Sequence, residues 1–196
     1  MYMLKRYAIA AIPKATKTFY FLLFLFVAGV SVGASSGDNE VILRLADGYS
    51  AVQGSDLAAD NFFRSISADA LLLGAVFLLA FSAISAPVFL LVPFFKGLGI
   101  GAAAGALFLS SSSFFDGVKV FIGFCVTASV SSFVLILAAQ SALGFSAGLF
   151  FHLRGRCESF DTVSELKKMC LKFLLFAVII VINATLDTLI SVLLSI

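Results

Sequence analysis

Charge is scarce in this chain: 12% of its 196 residues are Asp, Glu, Lys or Arg, against 61% hydrophobic residues, 23 phenylalanines and a mean hydropathy of +1.12. So few charges cannot coat a water-soluble globule, which excludes that class and leaves an integral membrane protein. Histidine occurs once, at His152, and Cys125, Cys157 and Cys170 have neither the paired short spacing of a zinc site nor the pattern of a disulfide framework. No nucleophile has a base at a plausible spacing, and neither Gly-x-x-x-x-Gly-Lys-Ser/Thr nor Gly-x-Gly-x-x-Gly occurs. The expectation is therefore a protein with no catalytic residue, metal site, cofactor or nucleic-acid partner, whose first partner is the lipid bilayer.

What the chain does have is long apolar runs, and charge is distributed unevenly around them. The run at 18–34 follows Lys5, Arg6, Lys14 and Lys17 with no acidic residue among them, which puts the N-terminus in the cytoplasm by the positive-inside rule. Val32-Gly33-Ala34 also resembles a signal-peptide cleavage site, but the long basic leader and the helix-packing spacing of Gly29 and Gly33 favour a retained anchor. Residues 35–66 read as an extracytoplasmic loop, the polar stretch as a whole carrying Asp38, Glu40, Asp47, Asp56, Asp60 and Asp69, with a weak amphipathic pattern near Leu57 to Phe63.

The next apolar block, 70–110, is twice the length of the roughly 20 residues a span needs, so it must turn back. A turn at Ser85-Ala86-Pro87 gives spans of about 67–84 and 87–110, whereas a turn at Pro93 to Lys96 would make the lysine an interfacial anchor. The block at 118–151 is also too long for one span, and its polar patch at 127–132 suggests a kink or a re-entrant turn. Arg154, Arg156, Lys167, Lys168 and Lys172 mark 152–170 as a cytoplasmic loop before a last span at 171–196. The expected fold is an all-α, polytopic bundle of about five transmembrane helices forming a single domain, N-terminus inside and C-terminus outside.

Within the third span Lys96 precedes Gly97, Gly101 and Gly105, whose four-residue period stacks them on one helix face where a neighbouring backbone can approach. Asn183 and Asp187 share a face of the last span. A charge at that depth costs roughly 2.5 kcal/mol or more, so Lys96 and Asp187 are expected either to pair across the bundle or to snorkel to opposite interfaces.

Pro87, Phe95-Lys96-Gly97-x-x-x-Gly101-x-x-x-Gly105 and Asp116-Gly117 together resemble the stage II sporulation protein M family of endospore-forming bacteria, over about residues 80–120. Gly29 and Gly33 are similar to that family's opening helix. The chain departs from the family after the glycine helix, where Thr127-Ala128-Ser129 stands in place of a proline-centred break. The resemblance implies a bacterial cell-membrane scaffold of sporulation engulfment, in the mother-cell septal membrane, working with the peptidoglycan-degrading stage II sporulation proteins D and P. Self-association is the other expected contact. Lys96 and Asp187 leave a second class open, a small transporter or channel component, because intramembrane ionisable residues commonly line solute pathways.

Overall fold

The computed structural model describes residues 15–35, 58–82, 86–110, 114–154 and 161–194. Regular structure among them is helical throughout: α1 Ala15–Ser35, α2 Ala58–Ala80, α3 Ala86–Ser110, α4 Phe114–Leu153 and α5 Thr162–Leu194. Four helices contain stretches long and apolar enough to cross a membrane, Lys17–Ser35, Pro87–Ala106, Ile122–Leu153 and Thr162–Ile190. In α2 the apolar part is Ile66–Ala80, about 22 Å of helix. The basic leader, residues 36–57 and the Ser85 turn position lie outside the described residues.

Several expected boundaries shift. Helix α2 begins at Ala58, so the last part of the expected 35–66 loop is helical, and it ends at Ala80 in a tight turn where Ser82 N–H donates to Leu79 O at 3.0 Å. Helix α5 begins at Thr162, inside the expected 152–170 loop, because Asp161 caps it: one carboxylate oxygen accepts from the N–H groups of Val163 and Ser164 at 3.2 and 3.4 Å.

Neither a turn at Pro93 to Lys96 nor a re-entrant turn at 127–132 is present. Helix α3 starts with Pro87 in its first turn, where a missing N–H costs nothing, and then runs straight through Pro93. Pro93 is fully buried, so the neighbouring helices hold its ring in a packed position. Helix α4 is continuous over 40 residues, about 60 Å, with no re-entrant turn at 127–132. Its hydroxyls bond back into their own helix, Ser129 Oγ to Cys125 O at 2.5 Å and Ser132 Oγ to Ala128 O at 2.6 Å, so the polar patch needs no break to be satisfied.

Helix α4 is the spine, packing on all four others, while α1 lies chiefly on α3 and α2 chiefly on α5 and α4. Buried alanines make the spine slim: Ala138, Ala139 and Ala142 are fully buried where α4 passes its neighbours. An apolar cluster of Leu73, Val76, Phe89, Phe145, Phe173 and Phe176 fills the space between α2, α4 and α5 with one contribution from α3.

The contact of α1 with α3 is made by backbones. A Cβ on Gly29 or Gly33 would collide with the carbonyl oxygens of Phe94 and Leu98, and one on Gly97 or Gly101 with those of Phe26 and Val30. Partner numbers rise together, Gly29 against Phe94 and Gly33 against Leu98, so the two helices run parallel. Such proximity lets Cα–H groups face carbonyl oxygens, a weak but repeated attraction. Gly105 sits at the loose end, where a Cβ would lie 3.5 Å from Ala34 O, an ordinary contact.

Gly101→Ala should therefore destabilise the bundle by about 1–3 kcal/mol, since backbone cannot move aside as a flexible side chain can. Gly105→Ala should be close to neutral, and Gly144→Ala, where a Cβ meets nothing within 4 Å, should stabilise by up to about 1 kcal/mol through helix propensity. Unfolding in mixed detergent micelles measures all three, and equal losses at Gly101 and Gly144 would contradict the packing account.

Candidate functional site

The described polar side chains inside the bundle gather mainly at two centres, each joining two helices. In the first, the Lys96 ammonium of α3 donates to the Asp69 carboxylate of α2. Lys96 is 3% exposed and Asp69 8%, so the pair is enclosed between helices, with Lys96 midway along the apolar stretch of α3 and Asp69 in the first turn of the apolar part of α2. The position of Asp69 follows from helical period: Ile66, Asp69, Leu73, Val76 and Ala80 recur at spacings of three and four, which places the carboxylate on the inward face. Helices α2 and α3 otherwise touch little, so the ion pair is a principal bond between them.

The expected pairing of Lys96 with Asp187 is corrected by this geometry, because the lysine is engaged by Asp69. Asp187 belongs to the second centre, where Thr127 Oγ of α4 lies 2.9 Å from its carboxylate. Asn183, one turn earlier on α5, donates from Nδ2 to the backbone oxygen of Thr127 at 3.1 Å. The two residues four apart on α5 thus grip one residue of α4. Thr127 Oγ also lies 3.2 Å from Phe124 O, so its single proton is shared between the carboxylate of the other helix and a carbonyl of its own. Asn183 is 5% exposed and Thr127 also 5%, which puts this clamp in the interior of the α4–α5 contact.

Every buried side-chain nitrogen and oxygen among the described residues has a partner. No group of three His, Cys, Asp or Glu side chains comes together among them in a way that could hold a metal ion. Cys125 is half-buried and Cys170 exposed, and both are free thiols. Ser146 Oγ, fully buried, donates to Ser82 O at 2.7 Å and ties α4 to the end of α2. These are geometries for holding helices together: ion pair, amide clamp and hydroxyl staple, each spanning two helices.

Of the residues expected to matter, Gly29, Gly33, Gly97 and Gly101 come together in one contact, and Asn183 and Asp187 in another. Lys96 lies beside the first and apart from the second in partner. Asp69, near the start of the expected 67–84 span, does not stand out as a site residue because it continues the acidic stretch before it. The apolar spacing on either side of it was the available signal. Compared with protein families, curated proteins and solved structures, the chain matches none.

Removing one partner of a buried ion pair strands the other charge, so Lys96→Met or Asp69→Leu alone should each destabilise by about 3–5 kcal/mol. The double variant should recover most of that loss, whereas Lys96→Met with Asp187→Leu should be additive. A double-mutant cycle on unfolding in detergent reads both, and coupling of Lys96 to Asp187 in place of Asp69 would overturn the assignment.

Proposed function

We propose that the chain is a five-span membrane scaffold without catalytic activity, with its N-terminus in the cytoplasm and its C-terminus outside. The observation that carries this reading is that the intramembrane polar groups expected to mark a solute path, Lys96, Asn183 and Asp187, are each bonded to a neighbouring helix. Groups bound in this way hold a surface in shape, and a fixed surface is what recruitment of other membrane proteins requires.

The parallel run of α1 and α3 supports the five-span arrangement, since two helices crossing in the same direction need α2 to return between them. Ile66–Ala80 is short for a bilayer hydrocarbon core of about 30 Å, a mismatch that local thinning or the polar flank of α2 can absorb. The positive-inside distribution supports the orientation, with Lys167, Lys168 and Lys172 at the start of α5. The resemblance to the stage II sporulation protein M family supports the role, and its residues Gly97 and Gly101 are those in backbone contact with α1. On that reading the protein sits in a bacterial cell membrane, the mother-cell septal membrane during engulfment, and holds peptidoglycan-degrading partners akin to the stage II sporulation proteins D and P.

A transporter is the second reading, favoured by one observation: an oppositely charged pair, Lys96 and Asp69, stands near mid-helix on two helices with few other mutual contacts. Two measurements separate the readings. The scaffold should retain wall-degrading enzymes on purification, lose them in Gly101→Leu, and give proteoliposomes no ion flux above empty vesicles. Flux that disappears in Asp69→Asn would replace the scaffold with the transporter.

For orientation, single cysteines placed at Ser55 and Ser164 of a cysteine-free variant should label differently on intact cells. An impermeant maleimide should modify position 55 and spare 164. Labelling at 164 alone would invert the arrangement.

A further inference from the structure

Helices α2 and α5 pack less closely than α1 and α3, and leave an apolar groove of about 370 Å³ open to the outside of the bundle. Ala70, Gly74 and Phe77 of α2 and Cys170, Leu174 and Ala177 of α5 are among the residues that line it. Gly74 lies beneath open space, for a Cβ there would meet nothing within 4 Å. That sets it apart from Gly97 and Gly101, whose missing side chains are replaced by another helix. Along α2 the groove runs from Ile66 to Phe77 and along α5 from Cys170 to Val181, about 16 Å in each case. This is close to half the hydrocarbon thickness of about 30 Å, the depth of one leaflet.

One end of the groove is basic. Lys167 is exposed and stands three residues before Cys170, one turn beyond the lining on the same side of α5. Lys172 projects from the other side, about 200° around the helix from Cys170. Lys168 is already paired with Glu165 at 2.7 Å. At the same end the chain leaves α2 at Ser82, whose carbonyl is held by Ser146. A slot one leaflet deep, apolar along its length and with a cation at its mouth, has the shape and polarity of a phospholipid site.

We propose that this groove holds an acyl chain of one anionic phospholipid of the cytoplasmic leaflet, with the Lys167 ammonium against its phosphate. The assignment of the leaflet rests on the orientation given above, which cysteine labelling tests separately. Occupancy would fill the looser side of the bundle with lipid and couple the α2–α5 contact to membrane composition.

The test is native mass spectrometry of the delipidated full chain titrated with phosphatidylglycerol or phosphatidylcholine. One phosphatidylglycerol should be retained about five-fold more tightly than phosphatidylcholine, the preference one lysine at a membrane surface confers. Lys167→Gln should abolish the preference while leaving weak binding of both lipids, and Lys172→Gln should leave the preference intact. Gly74→Leu should fill the groove and abolish retention of either lipid, with its fold checked by unchanged thermal unfolding. If that variant does not fold, the Lys167 and Lys172 comparison decides alone. Equal effects of the two lysine variants, or undiminished retention in folded Gly74→Leu, would overturn the site. So would a lipid-free dimer that Gly74→Leu dissolves, because the occupant would then be a second copy of the chain.

Discussion

Where lipid tails are as apolar as the side chains they replace, helices gain little from hiding leucines against one another, so the contact of α1 with α3 rests on backbones brought together by absent side chains. Gly29 and Gly33 receive the carbonyls of Phe94 and Leu98, while Gly97 and Gly101 receive those of Phe26 and Val30. The fit is reciprocal, each helix supplying both the gaps and the backbone that enters them. It sets the rotation of α3 about its axis, and everything else α3 carries follows from that rotation. Lys96 is one residue from Gly97, about 100° around the helix, so locking the glycines against α1 turns the lysine toward the interior face that meets Asp69.

Polar groups then do what apolar contacts cannot do in this solvent, which is to specify neighbours. An ion pair or amide bond in a bundle has few alternative partners, and a helix that slips loses it outright. The Lys96–Asp69 pair joins α3 to α2, the Asn183–Thr127–Asp187 clamp joins α5 to α4, and the Ser146–Ser82 bond joins α4 to α2. Helix α4 takes part in two of these three and touches every other helix. Its length of about 60 Å is compatible with that role because its serines and Thr127 satisfy themselves along the helix.

The bundle is uneven as a result. Between α1 and α3 glycine brings backbones into contact, while between α2 and α5 Gly74 faces open space and leaves a groove. The same residue type serves opposite ends in the two places, and no property of glycine itself distinguishes them. A neighbouring helix at the right height is what does. One contact is consequently closed by protein backbone and the other is left as an open apolar groove.

Sequence by itself determined the solvent, the helical class and which residues share a face of one helix. Scarce charge and long apolar runs demand lipid, and an amide backbone in lipid must be satisfied by helices or closed barrels. A four-residue glycine period marks a packing face because that geometry is internal to one helix, as is the shared face of Asn183 and Asp187. Partner choice is different in kind. Which helix fills the glycine gaps, and whether Lys96 meets Asp187 or Asp69, depend on the order and rotation of helices around the spine, which no local pattern encodes. Local composition is ambiguous as well: Asp69 continues an acidic stretch although it lies within a helix, and the hydroxyl-rich 127–132 would suit a re-entrant turn although the helix runs on. Only the tertiary structure decided these points, because a buried charge or hydroxyl is stable wherever its partner is, and the partner lies on another helix or a turn away along its own.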